Sequence, residues 1–193
     1  MQSLSDPDRE AILALARRAL IAAVCHNQLF SPVPTTGIFE VRCGVFVSLH
    51  VHNKLRGCIG VIQPRETLGD SIVRSTASAA LEDPRFSRML PEEVQNAQIE
   101  VSLMSPLQEA RPDEIEVGRD GILIECGLRR GLLLPQVAVE HHLTRERFLE
   151  ETCFKAGLAR DAWQEPAAKI YRFTCEIVSE PSGSVQGQEV SSE

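Results

Sequence analysis

The sequence predicts an α+β fold built from antiparallel sheets with flanking helices. β-rich runs stand next to each other across short turns, as in Gly44–Val51 and Leu55–Ile62, which is the pattern of a hairpin. Helical patterns separate such runs without the regular strand and helix alternation of a parallel sheet. No strand, glycine-rich loop and helix combine into a phosphate-binding motif.

The first element is a helix over 8–25, rich in strong helix formers. Ile12, Ala16, Ala19, Leu20 and Ala23 recur on one side, and Arg17 and Arg18 reach solvent. Ser5 or Asp6 caps its start, with Pro7 in the first turn. Pro32 and Pro34 make 29–37 an extended connection. The hairpin turns at His52-Asn53-Lys54. Thr67 and Asp70 form a capping box for a helix running to about Glu82, with Leu68, Ile72, Ala79 and Ala80 toward a sheet; Asp83-Pro84 stops it. Pro91-Glu92-Glu93 opens a short helix, after which Ile99, Val101 and Leu103 alternate with Glu100 and Ser102 as in a half-buried strand.

The stretch from Arg111 to Gly121 is polar and turn-rich, and Ile122–Glu125 and Leu132–Leu134 are short strand candidates. This region, within 105–140, is the candidate smaller lobe. Gly131–Val137 reads as a strand running into a fixed turn. Thr144 caps a helix over 145–156 that puts Phe148, Leu149, Thr152 and Cys153 near one face. Ile170–Val178 reads as one final strand. Residues 1–178 then make a single domain, and 179–193, short of apolar anchors, are expected to form a flexible tail.

With 20 Lys and Arg against 27 Asp and Glu, the chain carries a formal charge of −7, which argues against a broad nucleic-acid-binding face. Its 6 cysteines are dispersed, with no C-x-x-C and no short Cys/His cluster, so no metal and no cofactor are expected. The start is acidic and polar, and no apolar run approaches the roughly 20 residues of a membrane span. A cytoplasmic protein without membrane contact is expected.

The densest chemistry lies in Leu55-Arg56-Gly57-Cys58-Ile59-Gly60, where Gly57 and Gly60 let a ligand or another backbone come close. Strand alternation puts Arg56 and Cys58 on one face, about 7 Å apart at Cα, near enough for the guanidinium to activate the thiol or hold an anion beside it. A packed cysteine in a glycine-relieved strand is the plain structural alternative. Glu100, on the polar side of its strand, is a candidate base or Arg partner, with a solvated sheet face as the alternative. His52 is a candidate proton carrier or an ordinary turn residue. Asp83 and Arg85 either line a cleft or form a structural clamp, and Gln136 is a polar contact candidate. The expected catalytic set is Cys58, Arg56 and Glu100; the expected ligand-binding set is Gly57, Gly60, His52, Asp83, Arg85 and Gln136.

Leu55–Gly60, Asp83-Pro84-Arg85-Phe86, Ile99-Glu100-Val101-Ser102, Gly131–Val137, Cys153–Leu158, Trp163 and Ile170-Tyr171-Arg172-Phe173 occur in an order that resembles the AMMECR1 domain family, whose prokaryotic members are called AmmeMemoRadiSam system protein A. The resemblance covers about residues 8–178. It implies a larger sheet-and-helix lobe carrying the LRGCIG segment near a cleft, a smaller lobe, and genomic association with a Memo-like protein and a radical SAM protein, which suggests a common modification or redox pathway. It transfers no catalytic constellation. Asp120 stands where many relatives carry histidine.

The leading functional expectation is therefore a cytoplasmic component of such a system, with a cleft around Arg56, Cys58 and Glu100 for a small anionic group or a partner's modified segment. A non-catalytic adaptor that docks the Memo-like or radical SAM partner is the first alternative. A nucleic-acid module using Arg56, Arg129 and Arg130 is the second, and self-association into a homodimer stays open.

Overall fold

Ser5 settles where the chain first becomes helical. Its Oγ accepts from the Asp8 N–H, and α1 (Asp6–His26) follows. A computed structural model of the chain describes residues 4–181. β1 (Val45–Val51) and β2 (Lys54–Val61) form the expected hairpin, whose turn residues His52 and Asn53 both have positive φ, the twist that suits a tight hairpin. Thr67 caps α2 (Leu68–Leu81) by accepting from the Asp70 N–H at 3.3 Å. A 3-10 helix at Pro91–Asn96 leads into β3 (Ala97–Met104).

The second half of the chain starts with β4 (Gln108–Glu109), β5 (Gly121–Cys126) and β6 (Arg129–Leu133). The fixed turn expected after Leu134 is a short helix, α3 (Pro135–Glu140), and α4 (Arg145–Lys155) starts at Thr144 as its cap. The single final strand expected over 170–178 is two strands, β7 (Ala168–Phe173) and β8 (Cys175–Ser179), which belong to different sheets. The chain crosses between sheets at Thr174. It crosses once before, at Ser105, and the crossings are hydrogen-bonded to each other: Ser105 N–H donates to Thr174 O and Thr174 N–H to Ser105 Oγ, both at 2.9 Å.

The first sheet has the order β2-β1-β3-β8 and the second β4-β7-β5-β6, every pair antiparallel. Val45, Val47 and Leu49 of β1, with Ile99, Val101 and Leu103 of β3, bury one face of the first sheet against Ile12, Leu15, Leu20 and Ile72 of α1 and α2. The second sheet buries Ile122, Ile124 and Ile170 against Phe148, Leu149 and Cys153 of α4. The second sheet and its helices run over 108–173, so α4 and β7 join the 105–140 stretch in this lobe. A third cluster, Met104, Leu123, Leu132 and Phe173 with Phe46 and Leu134 against it, joins the two sheets. Among the described residues no helix is long and apolar enough to cross a membrane. The tail expected over 179–193 begins at the last residue of β8, and beyond Pro181 it lies outside the described residues.

Candidate functional site

β2 is an edge strand, so a residue on it is followed across the sheet by one on β1 and then one on β3. In that register Cys58, Ser48 and Glu100 form a row. Alternation puts the row on the face away from α2, because the neighbouring Gly57 is the residue that meets that helix. Ser48 Oγ donates to the Cys58 sulfur at 3.2 Å. α3 brings Gln136 over the same face, where Nε2 donates to Ser102 Oγ at 3.2 Å and lies 3.5 Å from Glu100 Oε1. The amide oxygen of Gln136 is buried with no partner among the described residues.

The backbone of Cys58 has its own partners. Its N–H donates to Asp83 Oδ2 at 2.9 Å, and its carbonyl accepts from Arg85 Nη2 at 3.2 Å. Asp83 is buried and also accepts from Arg85 N–H, Nε and Nη2. The Arg85 guanidinium is the main reason its carboxyl sits well below the usual carboxylate range; burial opposes this, and the Cys58 and Arg85 amides add to the lowering. Arg85 Nη1 has no protein partner among the described residues.

Arg56 is not the cation beside the thiol that strand alternation suggested. Its guanidinium holds Glu93, at 2.7 Å from Nε, and donates to the carbonyls of Ser87 and Arg88. Alternation predicts where a Cβ points, whereas the end of a long side chain follows the acceptors within reach, and here these lie along the sheet edge. The close approaches at both glycines are made by protein. A Cβ on Gly57 would lie 2.0 Å from Ala79 O, and one on Gly60 would lie 2.2 Å from Val45 O and 2.5 Å from Phe46 Cγ. His52 is exposed in the hairpin turn, with about 13 Å of strand from Lys54 to Cys58 between it and the thiol. Of the other arginines singled out, Arg130 pairs with Glu125 at 2.7 Å and Arg129 donates to Gly157 O. Asp120 is buried and accepts from Arg119 and the Glu116 N–H.

Two residues join the site that sequence reasoning passed over. Lys155 ends α4, whose last turn lies close on β6 because a Cβ on Gly131 would come within 2.6 Å of Thr152 O and Ala156 N. Desolvation is the main cause that lowers the Lys155 pKa, although the residue as a whole is exposed; Cys58 opposes this shift and Arg85 adds to it. A lone lysine at a helix C-terminus is explained by the helix dipole, so nothing local marks it. Ser48 could have been found, because pairing the hairpin sets a polar residue inside the apolar run Val47-Ser48-Leu49 against Cys58.

Three other thiols are less available. Burial pushes Cys43 and Cys153 up, and it pushes Cys175 up to about 12 with help from Glu100. Cys175 lines a cleft of about 350 Å³ with Gln136, Arg119 and Ile177. Among the described residues no three His, Cys, Asp or Glu side chains come together as a metal site requires.

Fold and site together define a two-sheet α+β protein with a half-buried thiol, clamped through its backbone, on the sheet edge that the second lobe approaches. The chain belongs to the AMMECR1 family, whose model matches residues 13–178. It is similar to Protein TK0174 of Thermococcus kodakarensis, 43% identical with 96% of this chain and 98% of that protein covered. Protein PF1979 of Pyrococcus furiosus is 41% identical over 96% of this chain and 95% of its own. The crystal structure of uncharacterized protein PH0010 from Pyrococcus horikoshii superposes with a TM-score of 0.87 at 38% identity, covering 92% of this chain and 94% of that one.

Proposed function

We propose that the chain is a thiol-dependent component of a modification system, holding a small anionic group beside Cys58 where the two lobes meet. One observation carries this reading: Ser48 donates to the half-buried Cys58 thiol, the Arg85 guanidinium lies on the Cys58 carbonyl with Nη1 unpartnered among the described residues, and Glu100 stands one strand further on; Lys155 of the other lobe is assigned as the second cation. In this role the Cys58 thiol loses its proton to solvent, and the thiolate, still accepting from Ser48, bonds to a carbonyl carbon of the anion as the C=O π pair moves to oxygen, where a proton from solvent returns. Arg85 and Lys155 hold the negative charge, the part first expected of Arg56. The family resemblance supports a shared pathway with a Memo-like and a radical SAM protein, and dispersed free cysteines support a reducing, cytoplasmic setting.

The test is brief labelling of the native protein with iodoacetamide across pH, read cysteine by cysteine by mass spectrometry. Cys58 is expected to react before unfolding. Labelling of Cys58 only after denaturation contradicts the proposal. A docking role without bond chemistry is the second reading, favoured by Phe154, which stands 62% exposed next to Lys155. That reading expects Phe154→Ala, and not Cys58→Ala, to abolish capture of the partner.

A further inference from the structure

We infer that Asp83 is a positioning residue: with Arg85 it takes the place of a missing neighbour strand for one peptide of β2, and so fixes Cys58 without touching its thiol. The inference rests on the reading of Cys58 as the working thiol.

An edge strand leaves alternate N–H and C=O groups without partners, and a folded protein covers them with charges, bulges or loops. Here the cover is specific to one residue. Asp83 Oδ2 accepts from the Cys58 N–H at 2.9 Å while Arg85 Nη2 donates to the Cys58 carbonyl at 3.2 Å, the donor and acceptor pair a neighbouring strand would offer. The two side chains are tied together by Nε to Oδ1 at 3.0 Å and Nη2 to Oδ2 at 2.7 Å. Their geometry is set by the turn Asp83-Pro84-Arg85-Phe86, closed by Phe86 N–H to Asp83 O at 3.1 Å, with proline in the position that presets its backbone. A turn that only ended α2 would need none of the contacts to Cys58.

The face of the same strand toward α2 is blocked as well. Gly57 lies against Ala79 O with no room for a side chain, so β2 cannot shift toward α2, and the clamp stops it shifting outward. A carboxylate only 2% exposed is costly to bury unless fully paired, and Asp83 meets that cost with four donors from Arg85 and Cys58. Such restraint on the peptide of a half-buried thiol is what a preorganised reactive group requires.

The test compares wild type with Asp83→Ala, Asp83→Asn and Arg85→Gln. It reads amide hydrogen exchange at Cys58 relative to the core amide of Val47, together with the pH profile of Cys58 iodoacetamide labelling, with buried Cys153 as the monitor of global unfolding. In Asp83→Ala the Cys58 amide should exchange about tenfold faster relative to Val47, and the labelling profile should shift. Asp83→Asn, which keeps an acceptor for the Cys58 N–H, should recover most of the protection. Arg85→Gln, which removes the donor to the Cys58 carbonyl and the partner that holds Asp83, should also speed exchange at the Cys58 amide. Unchanged Cys58 exchange and labelling in folded Asp83→Ala and Arg85→Gln overturn the inference, and so does an Asp83→Asn protein that behaves like Asp83→Ala. If Asp83→Ala does not fold, Asp83→Asn and Arg85→Gln decide: full protection and an unshifted profile in Arg85→Gln overturn the clamp. Wild-type Cys58 that resists labelling until unfolding overturns the proposed thiol chemistry instead, and the exchange arm still judges the clamp.

Discussion

Asp83 keeps a negative charge where almost no water reaches it, and it does so because Arg85 and the Cys58 amide surround it with donors. A carboxyl held below its ordinary pKa by the fold stabilises that fold at every pH above the unfolded value, about 3.9 for Asp, and the stabilisation is lost as pH falls toward the folded value. The wild type should therefore lose urea resistance below about pH 4, and Asp83→Asn, weaker by about 2 kcal/mol at neutral pH, should close that gap in stronger acid. A constant difference between the two proteins down to pH 2 would contradict this account of Asp83. Residues of this kind are unevenly legible. Cys58 can be picked from the 6 cysteines because two glycines break its strand. The Asp83 and Arg85 pair can be read as a clamp, but the peptide it grips is 25 residues away in sequence and is visible only in three dimensions. The direction taken by Arg56 depends on carbonyls of the 87–88 segment, which no local pattern announces.

Among the elements, the hairpin and α2 carry most of the site, and their packing is unusually close. Gly57 meets the Ala79 carbonyl so tightly that any side chain must push β2 and α2 apart. Gly57→Ala is expected to cost about 3 kcal/mol in urea unfolding and to increase labelling of Cys58, since the strand that carries it would move. A cost below about 0.5 kcal/mol would mean that the two elements are free to separate. Helix starts are well marked in the sequence, because Ser5, Thr67 and Thr144 each supply the oxygen that an unpaired helical N–H requires. Sheet membership is not. Residues 170–178 have one continuous β-pattern, yet Thr174 passes the chain from the second sheet to the first, and the pattern reports a strand's period without its neighbour. The short helix Pro135–Glu140 is similarly hidden, its single turn and a half being too short for a helical period to show.

Across the whole molecule, two sheets with separate cores share a third apolar cluster, and the chain passes twice between them at the bonded pair Ser105 and Thr174. That arrangement lets α3 of one lobe deliver Gln136 to the open face of the other, where Lys155 of α4 is the proposed second cation. The α+β class and the family are legible in the sequence, since both rest on ordered local motifs. The lobe boundary and the Lys155 contribution are not, because both depend on contacts between segments far apart in the chain. The central claim is that the two lobes together hold an anion beside Cys58, and competition reads it directly. Iodoacetamide labelling of Cys58 is followed with and without acetate or inorganic phosphate at constant ionic strength, with exposed Cys25 as the internal reference. The account predicts that at least one of these anions slows Cys58 several-fold while Cys25 is unaffected, and that Lys155→Gln removes the protection. Equal Cys58 rates with and without both anions, or protection undiminished in Lys155→Gln, would contradict it.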